Sequence, residues 1–318
     1  MDEREIIARL KEIFATSHDE ELIIGIGDDA ALFRVGSAGA GVVIATDLLT
    51  EGTHFNRQWS DLYSIGRKAA AANLADIFAM GVAPQYLLVA VASTPRDGEK
   101  IFDLARGIAD ECAIVGATVI GGDLSRSDSL TLSITALGKT SSLDGKGVLT
   151  RSGAKPGDGL FILADRYGLP GKSLLGLEQL QRGIELDNES IDLHRAPHVP
   201  YQSFLTVAEY ATSLCDISDG ISMDAAALAI SSEVTIDIDR DALRSHPYFQ
   251  EIASLAPDLG LEPVDVVLAS GEEHSPLFTA PAGAAVSGVW KIGRVLPIED
   301  EFVLLDGEKF EPVGFRHF

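Results

Sequence analysis

The chain has 318 residues, of which 46 % are hydrophobic and 23 % charged, a composition typical of a globular protein and not of a disordered one. Its net charge of −23 argues against binding to duplex nucleic acid or to an anionic membrane. No apolar run reaches the ~18 residues of a membrane span, and the acidic start MDEREIIARL does not resemble a signal peptide. Cys112 and Cys215 suit buried free thiols in a reducing compartment. We therefore expect a cytoplasmic protein without nucleic-acid or membrane partners.

The length favours two domains, and the first of them mixes helices with strands. Its most distinct element is a long helix that Ser60 or Asp61 can cap and that Gly81 ends just after Met80. Apolar spacing defines the other elements. In chain order, the sequence predicts a helix over 4–14, a buried strand over 41–46 that ends at Asp47, the long helix to residue 80, a helix over 99–115, and strands over 117–120 and 130–137.

The stretch 141–158 is rich in Gly, Ser and Pro, and it marks the predicted boundary between a domain of residues 1–149 and a domain of residues 150–318. Neither half alternates strictly between strand and helix, which favours an α+β fold with mixed sheets. The elements predicted beyond the boundary are strands over 159–164, 233–239, 264–270 and 276–280, helices over 202–213 and 221–232, and a hairpin at Asp306-Gly307.

Five segments share one pattern, in which an apolar run leads to aspartate beside Gly or another small residue. A buried carboxylate without a partner costs several kcal/mol, and 25 basic residues are too few to neutralise every such cluster. Mg²⁺ bound through oxygen ligands can do so, and it is usually shared between carboxylates and substrate phosphates. The pattern therefore predicts a magnesium-dependent phosphoryl-transfer enzyme. The segments are IIGIGDDAALF (Asp28, Asp29), VVIATD (Asp47), NLADIFAMG (Asp76), VIGGD (Asp123) and CDISDG (Asp216, Asp219).

Each segment also has a structural explanation. GDDAA can form a turn with Asx hydrogen bonds, GGD can form a tight turn after a strand, and Ser218 or Asp219 can cap the next helix. Asp76 can lie on an exposed helix face that it shares with Lys68, eight residues earlier.

Other phosphate-binding and metal-binding patterns are weak. GLPGKS is not a P-loop, because Arg166 stands where that motif requires glycine. His194 and His198 lack further ligands at a metal-binding spacing, and we expect them in a surface turn.

Taken together, the segments resemble thiamine-monophosphate kinase, a family of the aminoimidazole ribonucleotide synthetase superfamily. The resemblance covers nearly the whole chain and is carried by GIGDDAAL, ATDLLTEGTHF, GRKAAAANLADIFAMGVAP, VIGGD, LTRSGAKPGD, CDISDGISMD and SGEEHSPLFT, in the family's order. It implies an N-terminal domain that binds ATP and Mg²⁺ and forms a homodimer through its mixed sheet. It also implies a C-terminal α/β domain that completes the nucleotide and substrate site. The implied reaction converts ATP and thiamine monophosphate to ADP and thiamine diphosphate.

The resemblance further implies the residues of the site. No general base is required, since a phosphate monoester is already mostly anionic at neutral pH, and Asp219 and Arg151 are the best candidates for a direct part in catalysis. The implied magnesium ligands are Asp29, Thr46, Asp47, Asp76, Asp123, Asp216 and Asp219, the implied ATP contacts are Gly122, Arg151 and Ser218, and the implied substrate contacts are His54, Glu272 and Phe315.

The chain departs from the family pattern in three places. Leu124 replaces the usual threonine of GGDT, and Ile114 and Val115 lie where an aromatic residue often meets adenine. GGEDYEL is replaced by SGEEHSPL, in which Ser270, Glu273, His274 and Pro276 differ. Two alternatives stay open: another ATP-dependent synthetase or kinase of the superfamily, and a non-catalytic paralogue that binds nucleotide or metal.

Overall fold

Two β-sheets, one from each half of the chain, form the frame of the molecule. The computed structural model describes residues 21–36, 39–140, 148–284 and 287–316. The helix predicted over 4–14 and residues 141–147 of the predicted boundary stretch lie outside these ranges. The combination of mixed sheets with helices confirms the predicted α+β class. None of the helices in these ranges is long and apolar enough to cross a membrane.

The first sheet has six strands in the order β1-β2-β3-β6-β4-β5, and only β4 and β5 run parallel. Two predicted strands are longer than expected: the strand predicted to end at Asp47 continues to Thr50, and the strand predicted over 117–120 continues through Asp123 to Arg126. Asp47 pairs with Ile134 and Asp123 pairs with Ala90, so ladder hydrogen bonds outweigh the poor strand propensity of aspartate. The strands are β1 Leu22–Ile24, β2 Ala31–Arg34, β3 Gly41–Thr50, β4 Pro84–Ser93, β5 Thr118–Arg126 and β6 Thr131–Thr140.

Helix α1, Leu62–Ala79, is the predicted long helix and lies in the interior. The Asp61 side chain accepts a hydrogen bond of 2.7 Å from the Ser64 N–H, which confirms the predicted N-cap. Its alanines and large apolar residues are buried around most of its circumference, as in a core helix. Polar side chains on α1 must therefore find partners inside the protein.

Helix α2, Ile101–Val115, crosses α1 at very short range. A Cβ atom on Gly66 would lie 2.2 Å from the Leu104 carbonyl oxygen, and one on Gly107 would lie 2.0 Å from the Tyr63 carbonyl oxygen. Only glycine at these two positions permits the crossing, and this contact fixes α1 beneath the first sheet.

The second sheet has seven strands in the order β13-β12-β9-β11-β7-β10-β8. The predicted hairpin at Asp306-Gly307 is confirmed, since it joins two antiparallel strands. The strands are β7 Asp158–Leu163, β8 Ser213–Asp216, β9 Val234–Ile238, β10 Pro276–Pro281, β11 Val289–Pro297, β12 Val303–Leu305 and β13 Glu308–Lys309. The helices of this half are α3 Lys172–Arg182, α4 Asn188–Arg195, α5 Tyr201–Ala208, α6 Ile221–Ser232, α7 Arg240–Arg244, α8 Phe249–Leu255 and α9 Pro263–Ala269.

Three predictions for this half are wrong. The segment VDVVLAS forms α9 and not a strand, because Glu262 caps it and Pro263 occupies its first turn. The helix predicted over 202–213 ends at Ala208, where the chain turns into β8. His194 is buried on α4, 6 % exposed, and its Nδ1 lies 3.2 Å from the Ser173 hydroxyl, so it does not belong to a surface turn.

The two halves share a hydrophobic core around α1. Phe161, Phe204, Leu214 and Phe278 from the second half belong to the same buried cluster as the apolar side chains of α1. A second cluster fills the remainder of the C-terminal half. The two cysteines are buried and free, as predicted. Since α1 packs on both halves, its polar residues lie where the halves meet.

Candidate active site

Three of the aspartates singled out from the sequence converge in space. Asp29, in the loop between β1 and β2, Asp76 on α1, and Asp216 at the end of β8 each place a carboxylate oxygen within 4.8 Å of the others. Asp216 is 1 % exposed, and the Asp29 side chain is fully buried. Among the described residues, Asp29 Oδ2 has no hydrogen-bond partner. Three hard oxygen ligands, one of them buried and unpaired, fit a magnesium ion.

The carboxylates of this cluster repel one another. Burial raises the pKa of Asp29 to about 7, and the charge of Asp216 adds to this effect although Arg151 opposes it. Burial raises the pKa of Asp76 well above its ordinary value, and the charges of Asp47, Asp216 and Asp29 raise it further. The described side chains therefore do not supply enough positive charge for the cluster, which calls for protons or a cation.

Asp47 lies beside the cluster on β3. The Asn73 side chain holds this stretch in place, because its Oδ1 accepts a hydrogen bond of 3.1 Å from the Asp47 N–H while its amide group donates to the Ala69 carbonyl. Burial raises the pKa of the Asp47 carboxyl, and Asp216 adds to the shift against the opposing charge of His274. Asn73 thus connects α1 to β3 at the point where their aspartates approach.

Arg151 binds the two adjacent aspartates of the GDDAA segment. Its Nε and a terminal nitrogen lie 2.9 and 2.5 Å from Asp29 Oδ1. Its backbone N–H donates to the Asp28 carboxylate at 3.1 and 3.2 Å. The guanidinium group therefore lies at the carboxylate cluster, and Asp28 holds the backbone that carries it.

The DISDG loop, residues 216–220, is organised by a residue that the sequence analysis did not single out. Asp224 Oδ2 accepts hydrogen bonds of 3.1, 3.2 and 3.1 Å from the N–H groups of Ser218, Asp219 and Gly220. The alternative structural explanation, in which Ser218 or Asp219 caps α6, does not hold, because Gly220 occupies the cap position and the Asp224 carboxylate accepts from the N–H groups instead. The spacing DGISMD was the only available signal.

The SGEEH segment, residues 270–274, packs directly on this loop. The Glu272 and His274 N–H groups donate to the Ser218 and Ile217 carbonyls at 2.9 and 3.0 Å. A Cβ atom on Gly271 would lie 2.1 Å from the Ser218 carbonyl oxygen, so the approach requires glycine. His274, one of the departures from the family pattern, places Nδ1 2.7 Å from Asp216 Oδ2. This contact fixes the orientation of one carboxylate of the cluster.

Glu273 of the same segment occupies the start of α3. Its carboxylate accepts hydrogen bonds from the N–H groups of Gly171 and Ser173 at 3.0 and 2.6 Å. Burial raises its pKa to about 7 although these N–H groups oppose the shift. Because a protein carboxylate uses these N–H groups of GLPGKS, they do not form a phosphate site, which agrees with the rejection of a P-loop.

The three expected substrate contacts line one cleft of about 450 Å³. The rings of His54 and Phe315 lie 6.3 Å apart between centroids. The Thr50 N–H donates to His54 Nδ1 at 3.1 Å, so the neutral ring carries its proton on Nε2. Glu272 lines the same cleft, and so does Ser218 of the DISDG loop. The apolar part of the cleft lining includes Trp59, Leu174 and Leu177.

The described chain does not bring every expected site residue together. Asp123 and Gly122 lie on the edge strand β5, where the Asp123 carboxylate is exposed and accepts a hydrogen bond from Ser125. Gly122 lies in the same cross-strand row as Asp47, but β6 and β4 separate them, a distance of about 14 Å. Thr46 neighbours Asp47 on β3 and therefore points to the opposite face. Asp219 lies on the DISDG loop, and its carbonyl oxygen accepts from the Phe315 N–H at 3.0 Å.

Comparison with known proteins places this geometry in a family. Residues 27–140 match the model of the AIR synthase related protein, N-terminal domain. A thiamine-monophosphate kinase of Mycobacterium tuberculosis is 36 % identical over 294 residues, which are 91 % of this chain and 84 % of that protein.

Solved structures agree with this match. AaThiL complexed with AMPPCP and TMP superposes with a TM-score of 0.85 at 29 % identity, covering 100 % of this chain and 97 % of that one. The crystal structure of thiamine monophosphate kinase from Aquifex aeolicus gives a TM-score of 0.80 at 27 % identity, covering 98 % and 100 % of the two chains. The chain belongs to the thiamine-monophosphate kinase family.

Proposed function

We propose that this protein transfers the γ-phosphate of ATP to thiamine monophosphate, forming thiamine diphosphate and ADP. One observation carries the proposal: a single loop, residues 216–220, contributes Asp216 to the carboxylate cluster and Ser218 to the cleft wall. A site for charged phosphates thus adjoins a cleft that suits a heterocycle. The relatives' names and the AaThiL complex, in which we read TMP as thiamine monophosphate and AMPPCP as an ATP analogue, support the same reaction.

Each of the cleft residues binds a different part of the phosphate acceptor. Phe315 offers an aromatic face to a ring, and the Glu272 carboxylate accepts from an amino group on the heterocycle. His54 donates through Nε2–H to the acceptor phosphate. Arg151 turns its planar donors toward the polyphosphate of ATP, since its guanidinium already lies among the carboxylates. These contacts align two phosphates that otherwise repel each other.

Asp29, Asp76 and Asp216, with Asp47 beside them, would hold magnesium, which would supply positive charge to the phosphates. We retain Thr46, Asp123 and Asp219 as further proposed ligands, and Gly122 and Ser218 as proposed ATP contacts.

We also propose a homodimer built through the first sheet. All nine residues of its edge strand β5 are exposed, among them Ile120 at 57 % and Leu124 at 66 %. An unpaired edge strand that exposes apolar side chains favours pairing with a second copy of the chain. Because Asp123 lies far from Asp47 within one chain, a second chain is the route by which Asp123 would reach a carboxylate cluster. The division of roles between residues 1–149 and 150–318, the cytoplasmic location and the absence of nucleic-acid and membrane partners remain proposals.

The direct test is chromatographic detection of thiamine diphosphate formed from ATP and thiamine monophosphate, with MgCl₂ or with EDTA. We expect product only with the divalent cation. Asp76→Asn should abolish turnover, whereas Asp258→Asn, which changes an exposed aspartate, should not. ATP binding without thiamine diphosphate formation would contradict the proposal and favour the non-catalytic paralogue.

A further inference from the structure

Lys68 is an unusual residue for its position. It lies on α1 in the shared core and is only 3 % exposed. A buried ammonium group is unfavourable unless it is paired and hydrogen-bonded. The sequence suggested Asp76 as its neighbour on the same helix face, but the ammonium group forms its hydrogen bonds with other residues.

Within the described part of the chain, the two hydrogen-bond acceptors of Lys68 belong to the C-terminal half. Its Nζ donates to Glu272 Oε2 at 2.8 Å and to the His194 carbonyl oxygen at 3.2 Å. The ion pair therefore runs from the core helix of the first half to the wall of the acceptor cleft.

Glu272 is held at this point by its own backbone. Its φ of 62° is in the left-handed region that non-glycine residues seldom adopt, and its N–H donates to the Ser218 carbonyl. This strained conformation, together with the close approach of Gly271, directs the side chain to Lys68.

These contacts engage only one of the two oxygens of the Glu272 carboxylate. Lys68 engages Oε2, and His194 Nδ1 lies 3.7 Å from the same oxygen. The side chain keeps 32 % exposure and lines the cleft. Within the described ranges, Oε1 accepts no hydrogen bond. Burial would raise the pKa of Glu272, but Lys68 and then His194 outweigh it, so its pKa lies below the usual range and the group is ionised.

We infer that Lys68 is a positioning residue for the phosphate acceptor: it fixes one oxygen of Glu272 and leaves the other for an N–H donor on the acceptor's heterocycle. The inference rests on the proposed function, because it assumes that the cleft binds the acceptor. It predicts that Lys68 influences acceptor binding, although it need not touch the acceptor, and that this influence passes through Glu272.

The chain offers a matched control on the same helix. Arg67, the preceding residue, also forms an ion pair with a buried carboxylate, since its Nε and a terminal nitrogen lie 2.8 and 2.7 Å from Glu111. Glu111 is 1 % exposed, and neither residue lines the cleft. Arg67→Met therefore removes a comparable pair without disturbing Glu272.

The experiment measures the Kd of thiamine monophosphate by titration calorimetry and the KM of each substrate. For Lys68→Met we expect the Kd of thiamine monophosphate to rise about tenfold or more, with the KM of ATP changed less than about twofold. Arg67→Met should lower the melting temperature but keep the wild-type Kd. Because Lys68 acts through Glu272, Lys68→Met should add little to the effect of Glu272→Gln in the double variant.

The outcomes separate this inference from the proposed function. Wild-type affinity in Lys68→Met, or a full multiplication of effects in the double variant, overturns the inference alone. Lys68→Gln, which keeps a hydrogen-bond donor, gives the same test if Lys68→Met does not fold. Failure of the wild-type protein to bind thiamine monophosphate overturns the proposed function and this inference with it.

Discussion

Removing one carboxylate from the Asp29–Asp76–Asp216 cluster should stabilise the metal-free protein and destroy its response to magnesium. Each pair of carboxylate oxygens in the cluster lies within 4.8 Å. At an effective dielectric constant of ~20, two unit charges at that distance repel by about 3.5 kcal/mol. Asp76 belongs to two of the three pairs, so Asp76→Asn removes about 7 kcal/mol of repulsion when all three groups are ionised.

Protonation limits the gain that can be measured. The pKa of Asp76 is raised well above its ordinary value by burial and by the neighbouring charges, so part of the repulsion is already relieved by a bound proton. We therefore expect Asp76→Asn to raise the free energy of unfolding without metal by roughly 2–4 kcal/mol at neutral pH. For a chain of 318 residues that gain corresponds to a rise of about 3–6 °C in melting temperature.

The assay is thermal unfolding in EDTA and in MgCl₂. Magnesium should stabilise the wild-type protein, by about 2.7 kcal/mol at a hundredfold excess over its Kd, and should leave Asp76→Asn unchanged. Asp258→Asn, an exposed control, should behave as wild type in both buffers. A variant that is less stable than wild type in EDTA, yet responds fully to magnesium, would refute the cation-site explanation and make Asp76 a structural residue.

Three further predictions concern other parts of the frame. Asp224→Ala leaves three N–H groups of the DISDG loop without their acceptor. The free energy of unfolding in urea should therefore fall by at least about 2 kcal/mol, and the KM of ATP should rise. An unchanged KM of ATP would show that the loop does not belong to the ATP site. Burial lowers the pKa of His194 from 6.5 to about 4. The contribution of the neutral ring to the free energy of unfolding should therefore be complete above pH 6.5, and about 3 kcal/mol should be lost as the pH drops to 4. Urea titrations should show a smaller loss in His194→Gln. Gly107→Ala should lower the free energy of unfolding by about 1–3 kcal/mol, because the new Cβ would collide with the Tyr63 carbonyl oxygen. The control Gly283→Ala, whose Cβ would have no atom within 4 Å, should leave the free energy of unfolding nearly unchanged in the same denaturation assay.

Elements with strong local signals were predictable from the sequence. The helix cap at Asp61 and the turn at Asp306-Gly307 depend on short-range chemistry, and the structure confirms both. The segment VDVVLAS, predicted as a strand, forms a helix because Glu262 and Pro263 together make a helix start. The strands predicted over 41–46 and 117–120 extend to Thr50 and Arg126, because they pair with neighbouring strands that the local sequence does not reveal.

The sequence predicted which carboxylates belong to the site, but it did not predict which side chains of the site contact one another. Asp29, Asp76 and Asp216 stood out because each is a carboxylate in or beside an apolar run, and these three converge. Nothing in the local sequence joined Lys68 to Glu272, 204 residues away. Such pairs depend on how two halves of the chain pack, which neither periodicity nor spacing encodes.

The central claim is that the carboxylate cluster and the acceptor cleft serve one phosphoryl transfer. Phosphorus-31 relaxation in the complex with Mn²⁺, thiamine monophosphate and a non-hydrolysable ATP analogue tests it most directly. We predict strong paramagnetic relaxation of both the acceptor phosphate and the γ-phosphate, lost together in Asp76→Asn. Relaxation of the nucleotide phosphates alone, with the acceptor phosphate unaffected in the wild-type protein, would contradict it.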